Sequence, residues 1–327
     1  MKLPSPLLLL VVFPLLCAAP AWAQLPGTPI IETAGNDEEL IQKASKLREA
    51  GKLMKDAQVQ EQMDKPEPGA VELAAENGQA LKTREVADKA RKGFLRVGYF
   101  FLCKRCDHWH FNLAGGYAVG KDTIASCYHV IKPGDDMREG YLVAVDWENN
   151  VIPVTKVLAA DKALDTVILR VEGGTQVPLG LSDAVAVGDP AYCYSFPLGQ
   201  RGYFSNGIVN RFYWKGPRKG EAGSLEELRA LRVNVSTDWA PGSSGAAIVD
   251  EKANVIGHVD TISPLSEGGR RPAAKPEKPA DGGKAQAPAA GKDRFNGATL
   301  ITLHEAIPAR AIKAIIAQLN ATPPAEK

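Results

Sequence analysis

A short Pro-Gly-Ser-Ser-Gly run, residues 241–245, leads directly into two apolar segments that are separated by a polar turn. The apolar segments, residues 246–249 and 255–259, have the length and composition of buried strands, so the region predicts a loop feeding a β-hairpin. Glycines let such a loop turn tightly, and N–H groups beside its serines can then converge on an incoming oxygen. Most Gly/Ser clusters are ordinary turns, so this interpretation depends on the rest of the chain.

The chain of 327 residues has the composition of an ordinary globular protein, with 45% hydrophobic and 24% charged residues. Helix-forming residues dominate only near the two ends, whereas the middle is rich in Val, Ile, Tyr and Gly. These features predict an all-β body in two halves, residues 94–183 and residues 184–320. The formal net charge of +1 argues against a nucleic-acid surface or a polybasic membrane anchor.

The first 23 residues have the pattern of a secretory signal peptide: a positive start, an apolar run and a small-x-small end at residues 21–23. A leucine precedes Cys17, which argues against a lipoprotein anchor. No later stretch is long and apolar enough to span a bilayer. We therefore expect an exported protein, periplasmic or secreted, with four remaining cysteines that are free to form disulfides.

Residues 24–93 are polar and helix-prone, with a helix predicted over residues 81–92 and Thr83 as its N-cap. We expect a solvated extension that packs loosely against the body, with a regulatory or partner-binding arm as the alternative. Residues 263–297 are rich in Pro, Ala, Gly and Lys, which cannot bury a core, and predict a disordered insertion. A closing helix is expected near residues 307–319.

Cys103 and Cys106 form a Cys-x-x-Cys pair, with His108 and His110 close behind. The spacing is compatible with a local disulfide, a structural zinc site or free thiols. A zinc knuckle normally takes its second pair of ligands from a distant segment, and no such pair is evident in the sequence. A redox role would need a βαβ context, which is also missing.

Three further residues stand in the order His129, Asp165, Ser244. His129 lies near the end of an apolar strand predicted over residues 123–131. Asp165 lies just before the buried strand predicted over residues 167–171. Alone, each has an ordinary explanation, as a core or rim histidine and a turn carboxylate. Together, their order is that of the double-barrel serine proteases, whereas α/β-hydrolases place serine first and subtilisin-like enzymes place aspartate first.

The chain resembles the protease domain of the trypsin-like HtrA/DegP family over about residues 94–320. The similar segments are the glycine-led strand at 115–119 with the histidine segment 128–131, the aspartate segment 164–169, the intervening segments 196–199 and 205–209, the nucleophile loop 241–245 and the closing element at 306–308. The resemblance implies a two-barrel chymotrypsin-like fold with a helical N-terminal extension and a C-terminal helix. It also implies a serine endopeptidase that acts on proteins or peptides without a cofactor.

The same resemblance implies the role of each site residue. Ser244 is the nucleophile, His129 the general base and Asp165 the carboxylate that orients the imidazole. The N–H groups of Gly242 and Ser244 form the oxyanion hole.

The chain departs from the family in three residues, because Ser243 replaces Asn or Asp before the nucleophile, and Ala246 and Ala247 replace Gly-Pro after it. Asp238 stands six residues before the serine, where trypsin-type enzymes place an acidic specificity residue, or it is a solvent-facing turn carboxylate. No PDZ domain is expected after the final helix, and the oligomeric state stays open. The alternatives are a catalytically silent binding protein on the same fold and a Cys-x-x-Cys metal or redox module.

Overall fold

The computed structural model describes residue 31, residues 37–266 and residues 299–321. The expected signal peptide and most of the expected insertion, residues 267–297, lie outside the described residues. Among the described residues, every helix is too short or too polar to cross a membrane.

The first half of the body is a closed antiparallel barrel of six strands. Their order in the sheet is β5-β2-β3-β4-β7-β6, and pairing of β5 with β6 closes the ring. A two-residue strand, β1, pairs with β5 at Tyr141 and Leu142, directly before the stretch of β5 that pairs with β6. Buried and mostly aliphatic side chains from these strands fill the barrel. The strands are β1 (Met54–Lys55), β2 (Phe94–Cys103), β3 (Trp109–Gly120), β4 (Thr123–Ser126), β5 (Met137–Val145), β6 (Val151–Asp161) and β7 (Thr166–Val171).

The second half is another closed barrel, with strand order β10-β13-β12-β11-β8-β9. The predicted hairpin is present here, because β11 pairs with β12 through Ala247–His258 and Ile248–Gly257. The strands are β8 (Pro190–Ser195), β9 (Tyr203–Trp214), β10 (Leu231–Val235), β11 (Ala247–Val249), β12 (Val255–Ser266) and β13 (Thr299–Pro308). The two-barrel fold predicted from the sequence is therefore confirmed.

Helices cover the outside of the barrels and the seam between them. They are α1 (Asp37–Glu49), α2 (Asp56–Asp64), α3 (Thr83–Gly93), α4 (Leu225–Leu228) and α5 (Ala309–Ala321). In α5, Ile312, Ile315 and Ile316 are buried at helical spacing in a core shared with both barrels. The expected C-terminal helix is confirmed.

The expectation of a loosely packed N-terminal extension is wrong for its described part. Ala44 of α1, Val59 of α2 and Val86 of α3 are all completely buried. Ala44 packs with Phe100 and Tyr141 outside the first barrel, and Val86 joins the core between the barrels. A few small apolar residues at helical spacing are enough to dock a helix that is otherwise polar.

Candidate active site

His129 lies at the rim of the first barrel, in a single 3-10 turn, Tyr128–Ile131. The sequence predicted a strand through residue 131, but β4 ends at Ser126. The chain turns here because Val130 N–H donates to the carbonyl of Cys127 at 3.2 Å. Ile131 stays buried in the barrel core, and the imidazole of His129 is left half-exposed, at 51% of its side-chain surface. The turn therefore presents the ring to solvent from a fixed backbone.

Asp165 holds His129 with two hydrogen bonds. The imidazole Nδ1 and Asp165 Oδ2 are 2.6 Å apart, and the backbone N–H of His129 donates to Asp165 Oδ1 at 2.9 Å. Asp165 has a φ of +49°, in the left-handed region that only Gly, Asn and Asp adopt readily. This unusual backbone conformation lies immediately before β7, so the carboxylate is fixed in orientation by the barrel.

The pairing shifts the pKa of both groups. The hydrogen bond to Asp165, aided by the charges of Asp165 and Asp260, raises the pKa of His129 above its ordinary value despite partial burial. Burial by itself raises the pKa of Asp165, but the hydrogen bonds and charge of His129 outweigh it and leave that pKa lowered. Asp165 is thus ionised near neutral pH and favours a proton on the Nδ1 of His129.

The loop that carries Ser244 reaches the same place from the second barrel. Gly242 has a φ of +98°, and a Cβ there would lie 2.7 Å from the carbonyl oxygen of Phe196, so glycine is required. Ser244 is half-buried, whereas neighbouring Ser243 is completely buried. Among the described residues, the N–H groups of Gly242 and Ser244 have no backbone acceptor, although Ser243 N–H donates to Ala240. Two donors beside an accessible hydroxyl suit a bound oxygen.

Strand β3 supports the serine loop across the seam between the barrels. Gly115 N–H donates to the carbonyl of Ser244 at 2.8 Å, and Ser126 Oγ donates to the carbonyl of Gly115 at 2.7 Å. A Cβ on Gly115 would lie 2.5 Å from the backbone nitrogen of Ala246. The glycine of this strand thus allows the two barrels to touch directly behind the serine.

A cleft of about 260 Å³ opens between the barrels at this point. His129 and Ser244 both line it, so the structure brings two of the three predicted residues to one surface and Asp165 directly behind. The exposed side chain of Asp238 is not part of this lining, and its carbonyl accepts a hydrogen bond from Ser205. The other lining residues are Trp239, Ala240, Pro241, Val259, Asp260, Thr261 and Ile262.

Asp260 is an acidic residue at the site that the sequence reasoning missed. Its side chain is 12% exposed in the cleft wall, and Arg232 Nε lies 3.3 Å from its Oδ2. Burial raises its pKa to about 6, aided by the nearby negative charge of Asp165 and opposed by Arg232. The available sequence signal for Asp260 was a charged residue within the apolar segment 255–262. That signal does not indicate that Asp260 lines the same cleft as His129.

Two buried residues beside Asp165 are held in neutral forms. Burial, together with the negative charge of Asp165, raises the pKa of Cys127 well above its ordinary value, and its thiol donates to the carbonyl of Val259 at 3.1 Å. Burial lowers the pKa of His258 to about 4. Its ring contacts Tyr117 Oη and Thr166 Oγ1 of the first barrel, each at 3.4 Å. A neutral thiol is a poor nucleophile.

The predicted Cys-x-x-Cys feature lies away from this cleft, at the turn between β2 and β3. Cys103, Cys106, Cys127 and Cys193 are all free thiols, so the suggested local disulfide is not present. Cys103, Cys106 and His110 bring one side-chain atom each within 4.8 Å of one another, and exposed His108 is outside this group.

Two antiparallel barrels, with an aspartate–histidine pair from one facing a glycine-flanked serine from the other, define the class of the double-barrel serine hydrolases. In agreement, residues 114–257 match the family of the trypsin-like peptidase domain. This match agrees with the resemblance drawn from the sequence, and it covers the segments that hold His129, Asp165 and Ser244. Such a domain needs no cofactor for its chemistry.

The chain is also similar to the serine protease PepD of Mycobacterium tuberculosis (strain ATCC 25618 / H37Rv). The two are 33% identical over 113 residues, which cover 33% of this chain and 24% of PepD. The matched part thus spans about a quarter of the length of that relative.

Proposed function

We propose that this protein is a serine endopeptidase that hydrolyses peptide bonds in protein or peptide substrates through Ser244, His129 and Asp165. The observation that carries the proposal is the 2.6 Å pairing of His129 Nδ1 with Asp165 at a cleft that Ser244 also lines. Asp165 occupies one ring nitrogen, so Nε2 is the nitrogen left to accept a proton from the cleft.

In the proposed reaction, Ser244 Oγ attacks the carbonyl carbon of the substrate while His129 Nε2 accepts the hydroxyl proton. The protonated imidazole then donates that proton to the leaving amine, which departs and leaves an acyl group on Ser244 Oγ. Water attacks this ester with His129 again as base, releasing the acid and the free serine. Asp165 keeps the imidazole in the required tautomer and stabilises its charged form.

The developing negative charge on the substrate oxygen needs hydrogen-bond donors. The N–H groups of Gly242 and Ser244 are proposed for this role, and their freedom from backbone acceptors in the described chain supports it. One such donor contributes roughly 3 kcal/mol to the transition state in related enzymes. Trp239, Val259 and Ile262 give the cleft apolar surface on which a substrate side chain can pack.

The proposed location of this activity is outside the cytoplasm, in the periplasm or the surrounding medium. The support is the pattern of a signal peptide over residues 1–23. Sequencing the N-terminus of the protein recovered from the producing cell's exported fraction tests it. The expected mature chain begins at Gln24, and an N-terminus retaining residues 1–23 in the cytoplasmic fraction would contradict export.

The endopeptidase proposal is tested by digesting a library of unfolded proteins and mapping new termini by mass spectrometry. Wild type should generate internal cleavages, and Ser244→Ala should generate none above background. Ser243→Ala is the matched control, because the neighbouring hydroxyl is buried away from the cleft, and it should cleave like wild type. Equal digestion by wild type and Ser244→Ala, or a folded wild type with no cleavage, would overturn the proposal. The second outcome would favour a catalytically silent binding protein.

A further inference from the structure

The turn between β2 and β3 holds a group of sulfur and nitrogen atoms that the proposed protease chemistry does not use. Cys103 Sγ, Cys106 Sγ and one ring nitrogen of His110 lie within 4.8 Å of one another. The Sγ of Cys106 and Nε2 of His110 are already 3.0 Å apart. The sequence showed no second pair of ligands in a distant segment, but the hairpin itself supplies one further ligand, His110, four residues after Cys106.

Strand register explains why His110 converges on the cysteines. Phe101 is the cross-strand partner of His110, and Cys103 lies two residues beyond Phe101 on the same face of β2. The rings of Phe101 and His110 have centroids 5.8 Å apart, so the imidazole rests against a packed side chain. His108 lies in the turn before β3 begins at Trp109, and it is not part of the three-residue group.

The backbone of the turn is arranged around the first cysteine. The N–H of Arg105 donates to Cys103 Sγ at 3.3 Å, and Cys103 N–H donates to the carbonyl of His108 at 3.0 Å. Asp107 has a φ of +56°, which lets the chain reverse tightly. A sulfur that already accepts a backbone N–H is prepared to carry the negative charge of a metal-bound thiolate.

Three positively charged side chains near the sulfurs, Lys104, Arg105 and Arg138, each have a hydrogen-bond or ion-pair partner. Arg105 pairs with Asp136, and Arg138 pairs with Asp107 at 2.5 Å. The ammonium of Lys104 donates to the carbonyl of Asp135 at 2.9 Å. These contacts also link the turn to residues 135–138, at the start of β5, and so restrict the conformation of the turn.

We propose that Cys103, Cys106 and His110 bind a divalent zinc ion. Two thiolates and a neutral imidazole are a ligand set that zinc prefers, and the fourth tetrahedral position is left for water. Binding releases two protons, one from each thiol, and the two thiolate charges neutralise the ion. All three ligands come from one hairpin on the first barrel, so the ion acts as a structural clamp on that hairpin.

The test uses the mature full-length chain, purified under reducing conditions, stripped with a chelator and titrated with Zn²⁺. Metal analysis after desalting should find about one zinc per chain. Substitution with Co²⁺ should give the thiolate-to-cobalt charge-transfer absorption that requires cysteine coordination. Zinc should also raise the thermal midpoint, because it binds only the folded hairpin.

The variants His110→Ala and His108→Ala form a matched pair, since both imidazoles are exposed and lie two residues apart. Loss of His110 should weaken zinc binding more than about 100-fold, whereas loss of His108 should leave the stoichiometry unchanged. Cys106→Ser, also at an exposed position, should strongly reduce the charge-transfer band, because only the Cys103 thiolate remains. Circular dichroism confirms that each variant is folded.

Three results would overturn the proposal. They are no zinc retained by the reduced wild type, equal retention by the His110→Ala variant, or a Cys103–Cys106 disulfide that forms with zinc present in excess. Peptide hydrolysis does not enter any of these readouts, so the zinc site stands or falls separately from the proposed protease activity.

Discussion

The two barrels provide different kinds of chemistry to the cleft between them. The first barrel presents the ionised carboxylate of Asp165, which is paired with the His129 imidazole at 2.6 Å and accepts from the His129 backbone N–H at 2.9 Å. The second presents a hydroxyl and backbone N–H groups on a loop shaped by Gly242. In the proposed mechanism, charge and proton transfer belong to the first barrel, and attack and oxygen binding belong to the second. The contact between the barrels is therefore part of the proposed site.

The largest expected effect comes from the second barrel. Ser244→Ala should lower kcat/KM by about 10⁴-fold or more, because the bond-forming atom is lost while the first barrel keeps its His129–Asp165 pair. Ser243→Ala should keep near-wild-type activity and equal or slightly higher stability, since its buried hydroxyl has no hydrogen-bond partner in the described chain. Comparable losses in the two variants would break the assignment of Ser244.

The corresponding change in the first barrel is Asp165→Asn. It should lower kcat by about 10⁴-fold, because the amide favours the wrong tautomer of His129 while preserving the shape of the site. The labelling of Ser244 by a reactive phosphonate should slow in parallel. Unchanged kcat in a correctly folded variant would show that the two barrels do not act through this pair.

The pH dependence of activity reports on the imidazole. Its pKa is raised, so His129 becomes protonated, and unable to act as base, at a pH above the ordinary value of 6.5. The acid limb of kcat/KM should therefore have its midpoint above 6.5.

Asp260→Asn tests the contribution of the second barrel to that midpoint. Asp260 raises the pKa of His129 by its negative charge, so the variant should move the acid limb towards lower pH. An acid limb that stays in place, or moves upward, would contradict the inferred electrostatic link between the barrels.

The pH dependence of the free energy of unfolding should distinguish His258 from Asp260, two residues of β12. The pKa of His258 is lowered to about 4, so the unfolded state binds more protons below 6.5, and stability falls as the pH drops from 6.5 towards 4. The pKa of Asp260 is raised to about 6, so the folded state binds more protons between 3.8 and 6, and stability rises as the pH drops. The two residues oppose each other.

Urea unfolding at pH 7 and pH 5 measures this opposition. The His258 contribution is about 2 kcal/mol over that interval, and that of Asp260 is of similar size and opposite sign. Asp260→Asn should therefore lose more stability on acidification than His258→Gln, by about 2–3 kcal/mol. Equal pH dependence of the two variants would show that neither group is perturbed as described.

The sequence predicted the fold class and the three site residues, but it did not predict the packing around them. Motif order predicted His129, Asp165 and Ser244 as the site residues, because the short segments around them can be recognised from local sequence alone. The structure brings these three residues together. Asp260 was missed because its importance comes from a cleft formed by two barrels. The docking of α1–α3 was also missed, since a few buried residues such as Ala44 and Val59 carry it within polar helices. Long-range packing leaves little trace in local composition.

The Cys-x-x-Cys turn and the cleft also show what position along the chain cannot predict. The Cys-x-x-Cys pattern was visible in the sequence, but only the folded hairpin shows that His110, and not His108, lies beside the sulfurs. For Asp238 the sequence left two interpretations, a specificity residue or a solvent-facing turn carboxylate, and the structure places it at an exposed position outside the cleft lining. The position of a residue in the sequence does not determine its surroundings, which depend on the tertiary structure.

The most direct test of the two-barrel site is to label the protein with a fluorophosphonate and map the modified residue by peptide mass spectrometry. Such a probe needs a serine hydroxyl activated by a base. Wild type should carry the label on Ser244 alone, Ser243→Ala should be labelled equally, and Ser244→Ala and His129→Ala should remain unlabelled. Label on Ser243, or labelling that survives the loss of Ser244, would contradict the account.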